Sequence, residues 1–430
     1  MNQPPNTFLS LFPDSTISPQ KTRLKITWWG DDPDGLVQGF RISFDSTNWT
    51  FTTKNDSTFQ LQINGQDSTF RFWVAAVDDI GNIDPTPATN LYPVVNSPPS
   101  VAFNPGTEIP DTSFPVATFA WTGTDPDGNS TIKYYYYALN DTTTWRRINA
   151  NLNTITLRQD SGIVPNSNNR LYLKAEDIAG IYSPVVKMPD TNRTWYVRAK
   201  VGNILLINDY FRAAPTDVGQ AVQFYNLALD TLTYGVHSNL DIKVNNGGNI
   251  PKIKNPMFVE TLKLFQCVIW FGNRSNSAND NTNFSLATET LPYYIASGGK
   301  LFFSTGFPTF LQQNYNYLEF APVDSVTNAT VGNPPVTTST IVVNTNYPEL
   351  QVGPSSPDAV RGIYPRATAN VIYKLPFNVT YDTSKVNICI KDNLTSPKVF
   401  VMSVPLNRMN EIGTAIHFLR KVLALDFGIN

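Results

Sequence analysis

The sequence predicts a multidomain protein: two all-β sandwiches, then one three-layer α/β domain with a mainly parallel sheet and a β-rich insertion. Three observations carry that prediction. A tryptophan-led motif returns once in the first two hundred residues. Between the landmarks of the repeat, apolar residues alternate with polar ones, the period of a half-buried strand. At Val201–Asp209 the rhythm breaks into a solid apolar run, Ile204–Ile207, followed by residues at helical spacing.

The repeat is W-x-G-x-D-P-D-G. It runs from Trp28 to Gly35 and again from Trp121 to Gly128, 93 positions apart. Trp49 has a counterpart in Trp145, and Ala76–Gly81 returns as Ala175–Gly180, 99 positions apart. The order of landmarks is kept and the drift marks small loop insertions in the second copy. Phe40, Ile42 and Phe44 alternate with Arg41 and Ser43, and Leu171, Leu173 and Ala175 alternate with Tyr172 and Lys174. One face in and one face out, with turn residues between runs, is the mark of antiparallel sheets. A unit of about 95 residues suits a seven-stranded sandwich. The expected domains are residues 1–97, 98–199 and 200–430, with the prolines from Pro93 to Pro99 stiffening the first joint.

These features resemble the fibronectin type III and immunoglobulin-like modules of bacterial surface proteins, over roughly residues 8–195. The resemblance implies a buried tryptophan on the second strand of each module, and a spacer or adhesion role. It also implies that D-P-D-G and the later loop D-D-I-G-N-I-D emerge at one pole. That would gather Asp31, Asp32, Asp34, Asp78, Asp79 and Asp84 in the first module. Six to eight oxygens, several of them carboxylate, are what calcium takes, so the first sandwich is the expected place for that ion. Turn chemistry is the simpler reading, because Asp, Pro and Gly are good turn formers in their own right. The second copy looks poorer, with Ile178 in place of Asp79 and Ser183 in place of Asp84. Of Tyr134–Tyr137, alternation sends two outward, where they would stack on a sugar or partner, or simply pair across strands.

In the third domain Val218, Val222, Tyr225, Leu229 and Leu232 form the stripe of a helix opened by Pro215. Strands are expected at Leu240–Val244, Cys267–Phe271, Lys300–Phe303 and Val399–Val404, and helices at Met257–Leu264, up to Ser297, and along Ile412–Leu423. Alternating strands and helices imply a parallel sheet covered on both faces. Residues 306–398 interrupt this with β-like runs at Ser339–Val343, Asn370–Leu375 and Val386–Ile390, expected to cover part of the sheet.

The run I-L-L-I-N-D, the turn at Gly298-Gly299 and the closing V-F-V-M-S-V-P-L-N-R-M-N resemble the flavodoxin-like class I glutamine-amidotransferase-like domains, over about residues 201–305 and 398–427. A catalytic member places a Cys on the turn after a central strand and a His after a late one. Here those places read Phe303-Ser304-Thr305-Gly306 and Val404-Pro405-Leu406-Asn407. Sulfur and imidazole are both missing, and a nucleophile needs a base. Ser304 lacks the first Gly of a hydrolase elbow. The two histidines, His237 and His417, lie away from the carboxyl ends of the strands, where open α/β sheets bind their ligands. That crevice is expected to be lined by Asn208, Asp209, Tyr210, Arg212, Asn273, Arg274, Thr305 and Gly306. No glycine-rich phosphate fingerprint follows the first strand, which argues against a dinucleotide.

Composition narrows the function further. Charged residues make up 15% of the chain and the net charge is −2, which excludes a phosphate-backbone partner. No apolar run approaches the roughly 18 residues of a membrane span. Met1-Asn2-Gln3-Pro4-Pro5 carries no export signal. The expectation is nevertheless a mature exported chain, at the cell surface, outside the cell or in the periplasm, because low charge and abundant Asn, Thr, Ser and Pro accompany tandem sandwiches. Cys267 and Cys389 sit in apolar runs and are read as buried thiols, a disulfide being the alternative. The leading expectation is a non-enzymatic bacterial protein in which sandwich spacers carry a catalytically degenerate α/β domain that meets a protein or glycan partner. The alternatives are a hydrolase of glycan, peptide or ester with Asp209 as acid or base, and a structural subunit of a surface assembly.

Overall fold

The computed structural model describes residues 3–429, except 11–22, 62, 64–66, 106–110, 191, 211–214, 231–235, 243–255, 274–281, 308–317, 328–333, 355–359, 377–385 and 410–411. The chain divides into two compact units. One comprises Met1–Glu108, Thr118–Thr156 and Asn168–Trp195; the other comprises Ile109–Ala117, Leu157–Ser167 and Tyr196–Asn430.

The first sandwich contains β1 (Asn6–Leu9), β2 (Arg23–Asp31), β3 (Val37–Ser43), β4 (Thr50–Thr52), β5 (Asp56–Gln60), β6 (Ser68–Asp78) and β7 (Ala88–Val94). Its sheets are ordered β1-β2-β5 and β4-β3-β6-β7, and every pair is antiparallel. Alternation decides which side chains meet between the sheets. Leu24, Ile26 and Trp28 of β2 face Phe40, Phe72 and Val74, and Tyr92 and Val94 close the far side. Trp28 is fully buried, with ring contacts to Phe40 and Phe72. Pro93, which cannot donate to a ladder, is accepted because β7 is an edge strand.

The second copy repeats this order. Its strands are β8 (Ser100–Phe103), β9 (Thr112–Ser113), β10 (Val116–Thr124), β11 (Ile132–Leu139), β12 (Arg146–Asn149), β13 (Thr154–Arg158), β14 (Ser167–Asn169), β15 (Leu171–Asp177), β16 (Val186–Met188) and β17 (Trp195–Val197). The sheets run β13-β10-β8 and β12-β11-β15-β16, with a small third sheet β14-β17-β9. Trp121 takes the place of Trp28, fully buried and edge-on to Tyr135.

The second unit holds β18 (Ile204–Asn208), α1 (Pro215–Asp230), β19 (Ser238–Asp241), α2 (Met257–Leu262), β20 (Cys267–Gly272), α3 (Thr282–Ala296) and β21 (Lys300–Thr305). It continues through β22 (Val323–Val326), β23 (Ile341–Val342), β24 (Ile363–Pro365), β25 (Ala369–Lys374), β26 (Asn387–Asp392), β27 (Val399–Met402) and α4 (Ile412–Lys421). Strands β19-β18-β20-β21-β27 pair in parallel. From β27 onward the sheet turns antiparallel through β26 to β24, β22, β25 and β23. The sheet is therefore mixed rather than mainly parallel. The segment expected to cover it instead extends it, supplying hydrogen-bond partners along the edge that β27 would otherwise leave open.

Both faces of the parallel part are shielded, which is why β18 and β20 read as solid apolar runs. On one face Ile269 and Phe271 of β20 join Tyr225 of α1 and Phe418 of α4 in one cluster, with Tyr225 stacked on Phe271. On the other face Trp270 meets Phe258 of α2 and Phe303 of β21. Cys267 and Cys389 are free thiols, and burial pushes both above the usual thiol range. Within this unit Arg158 pairs with Glu260, and Arg198 lies 4.0 Å over the ring of Phe114.

The approach to β18 depends on one glycine. Gly202 has φ +65°, and a Cβ there would fall 1.5 Å from the carbonyl oxygen of Val236, just before β19. Gly202→Ala must move backbone to fit. The expected result is a loss of about 2–4 kcal/mol, read by equilibrium denaturation of the full chain.

Candidate functional site

The carboxyl ends of β18, β20 and β21 come together as the parallel pairing requires. Asn208 donates from Nδ2 to Asp241 Oδ1 at 2.9 Å and accepts the Tyr210 N–H on Oδ1 at 3.1 Å. Asp209 is 5% exposed. Its N–H donates to the Phe271 carbonyl at 2.8 Å, and its Oδ2 accepts the indole N–H of Trp270 at 2.9 Å. Gly272 is where these ends approach most closely. A Cβ there would lie 2.9 Å from the Asp209 carbonyl oxygen and 3.0 Å from Thr305 Oγ1. The buried Thr305 hydroxyl turns back onto the Gly306 carbonyl at 3.3 Å. Asn208, Asp209, Tyr210, Thr305 and Gly306 thus share one edge, with Asn273 following β20. Arg212 and Arg274 lie outside the described residues.

Two contacts at this edge were not legible beforehand. The Tyr210 hydroxyl donates to Asn407 Oδ1 at 2.8 Å, tying the first strand's exit to the loop after β27 across 197 positions. Ser304, which the sequence placed on the turn where a nucleophile would stand, lies within β21 and is fully buried. Its hydroxyl donates to the Val404 carbonyl at 3.1 Å and accepts the Leu406 N–H at 2.8 Å. A hydroxyl so used is a rivet between β21 and the loop after β27, and among the described residues no imidazole or carboxylate hydrogen-bonds to it. Neither contact could be read from spacing, because a loop 102 residues downstream of Ser304 and 197 downstream of Tyr210 supplies the partner.

The histidines lie elsewhere. His237 immediately precedes β19, at its amino end, and its Nε2 is 2.9 Å from Asn226 Oδ1. Burial holds its pKa below the usual imidazole value. His417 is on an exposed position of α4. At the amino ends of β20 and β21 a cavity of about 330 Å³ is lined by Lys200, Lys263, Gln266 and Tyr294. Its charges are answered within the fold: Lys263 pairs with Glu260 at 2.9 Å, and Lys200 donates to Asn203 Oδ1 at 3.1 Å.

In the first sandwich the six carboxylates divide their work. Asp78 accepts the N–H groups of Ile80 and Asn82, and Asp84 accepts both donors of Thr86. Asp34 takes the Gln3 N–H, while Asp32 and Asp79 flank Gly35. Asp31 is exposed at the end of β2. These bonds are local turn chemistry. Among the described residues no three His, Cys, Asp or Glu side chains are grouped so that they could hold a metal ion.

The tyrosine strand alternates as expected: Tyr135 and Tyr137 are buried, while Tyr134 and Tyr136 face outward. Their outer faces are engaged by the protein's own cations. Lys174 Nζ sits 3.9 Å from the ring centroid of Tyr182, 4.6 Å from Trp145 and 5.6 Å from Tyr136, and Arg147 lies 4.5 Å over Tyr134.

No family model matches this chain, and no curated protein matches it. Among solved structures it is similar to the fibronectin(III)-like modules of CbhA from Clostridium thermocellum, at 13% identity over 45% of this chain and 95% of that one, with a TM-score of 0.19. It is also similar to a two-domain fibronectin type III segment of chicken tenascin, at 15% identity over 42% and 95%, with a TM-score of 0.24. A third likeness is the PKD1 domain of Vibrio anguillarum Epp, at 13% identity over 22% and 98%, with a TM-score of 0.17. Scores this low add nothing to the strand order. That order, three strands against four and then repeated, is what makes the front of the chain a tandem pair of fibronectin-like sandwiches.

Two outcomes follow from the geometry. Ser304→Ala is expected to cost about 1–3 kcal/mol by leaving the buried Leu406 N–H without its acceptor, measured by denaturant titration. Because His237 is held neutral in the fold, the unfolded chain binds the extra proton as pH falls below about 6.5, so stability drops there. The slope of melting temperature against pH between 6.5 and 5 is expected to be shallower in His237→Gln.

Proposed function

We propose that this chain is an exported bacterial surface or periplasmic protein that acts by binding rather than by catalysis. Two sandwich spacers carry an α/β domain related to the class I glutamine-amidotransferase-like domains but stripped of their chemistry. The parallel order β19-β18-β20-β21-β27, with helices packed on both faces, supports that kinship.

One observation carries the non-enzymatic reading. Where the sequence lines up with such a domain's nucleophile, Ser304 lies within β21, buried and hydrogen-bonded to backbone in both directions. The remaining candidate acid or base, Asp209, is buried and holds the indole of Trp270. General acid–base work needs a group within reach of a substrate proton, and a carboxylate committed to an indole beneath the sheet edge is poorly placed for it. The edge itself, with the half-buried Asn208 and Asn407, offers hydrogen-bond donors and acceptors suited to a protein or glycan partner.

The test uses the full chain and Asp209→Asn. Each is assayed against amide, peptide, ester and glycoside chromogenic substrates. The expected outcome is turnover no faster than buffer for both. Turnover by the parent that falls about 100-fold or more in the variant would establish the hydrolase instead.

A further inference from the structure

The outward face of the four-stranded sheet in the second sandwich carries rings and charges that its core does not use. Cross-strand register sets Tyr134 and Tyr136 of β11 opposite Glu176 and Lys174 of β15, with Asn149 and Arg147 of β12 on their other side. Trp145 immediately precedes β12, and Tyr182 bridges back to Glu176. The ring centroids of Tyr134 and Tyr136 are 6.4 Å apart and those of Tyr136 and Tyr182 5.8 Å apart, so the three rings are contiguous. Tyr182 is 46% exposed, and Tyr134, Tyr136 and Trp145 are half-buried.

Three cations lie against these rings. Lys133 is 5.5 Å and Arg147 4.5 Å from Tyr134, and Lys174 sits among Tyr182, Trp145 and Tyr136. Cation–π attraction holds such groups in place without neutralising them. Among the described residues none of the three is ion-paired. The carboxylate that the register puts on this face, Glu176, accepts the Tyr136 hydroxyl instead. The face therefore keeps a surplus of positive charge on a chain whose net charge is −2.

The first sandwich retains the tryptophan of this face and loses its surroundings. Trp49 stands where the second copy has Trp145, but the 99-position offset puts Ala75 in place of Lys174 and Ile83 in place of Tyr182. Arg41, paired with Ala75, replaces Tyr136. The same fold forms without these rings, so folding alone does not call for them.

A ligand for this face needs flat, weakly polar surfaces to lie on the rings and negative charge to meet the ammonium and guanidinium groups. A pyranose ring presents C–H groups on its flat side, and a uronic acid adds a carboxylate at its rim. A peptide that joins a sheet uses free backbone groups at an edge, whereas β11 and β15 are interior strands whose backbone is spent in the ladders. A single-stranded nucleic acid would stack its bases, but the chain's net charge opposes a phosphate backbone.

We propose that this face binds an acidic polysaccharide, with uronate rings on Tyr136, Tyr182 and Trp145 and their carboxylates on Lys174 and Arg147. The second sandwich is then a binding module in its own right. All of these residues lie in that sandwich, so turnover or its absence in the α/β domain leaves the site untouched.

The experiment titrates the full chain with polygalacturonate and with its fully methyl-esterified form, which keeps the ring faces and lacks the charge. Binding is read by tryptophan fluorescence and isothermal titration. Saturable binding of polygalacturonate is expected, weakened about fivefold or more by esterification and by high salt, which screens exposed charges. Tyr182→Ala and Lys174→Gln should each weaken it about fivefold or more, as loss of an anchor does, with melting temperatures within about 2 °C of the parent. Trp49→Ala keeps full affinity. The proposal is overturned if the parent does not bind polygalacturonate, if the esterified form binds as well, if neither variant weakens binding, or if Trp49→Ala weakens it equally. Polyglutamate or oligothymidylate bound more tightly through the same residues makes this a site for acidic peptide or nucleic acid and overturns it too. Should Tyr182→Ala or Lys174→Gln fail to fold, Arg147→Gln and the esterification comparison on the parent decide.

Discussion

What governs this molecule is how many faces of each sheet must be kept from water. In the sandwiches one face is buried and the other solvated, so each strand alternates and a single large residue can pin two sheets together. Trp28 and Trp121 do so, each fully buried in the middle of its module. In the second unit the parallel strands are covered on both sides, and β18 as far as Ile207, β20 and β27 are apolar throughout. The change at Val201–Asp209 is therefore a change of burial regime. Helices become necessary there because a sheet with two apolar faces needs two covers.

That constraint accounts for what the sequence revealed. The tryptophan repeat and the period-two runs specified both sandwiches, because each landmark is local. The tyrosine alternation at Tyr134–Tyr137 was legible for the same reason. The insertion was less so. Its β-like runs at Asn370–Leu375 and Val386–Ile390 were visible, but pairing is a long-range choice. Nothing in those residues said that β26 would lie antiparallel against β27 and prolong the sheet.

The sites show the same division. The residues at the parallel strand ends could be named in advance, since topology alone brings them together. The hydrogen bonds made there, Ser304 to the loop after β27 and Asp209 to Trp270, depend on partners far along the chain or on another strand.

The outward face of β11 and β15 has a chemical consequence of its own. Lys174 is ringed by Tyr182, Trp145 and Tyr136 at 3.9, 4.6 and 5.6 Å. Cation–π attraction holds the ammonium against the three rings, and an acylating reagent has to reach the nitrogen past them. Among the lysines of this protein, Lys174 should therefore be a slow one to biotinylate or crosslink through amine-reactive esters. Surfaces prepared by such coupling would leave the aromatic side of the second sandwich facing the solution.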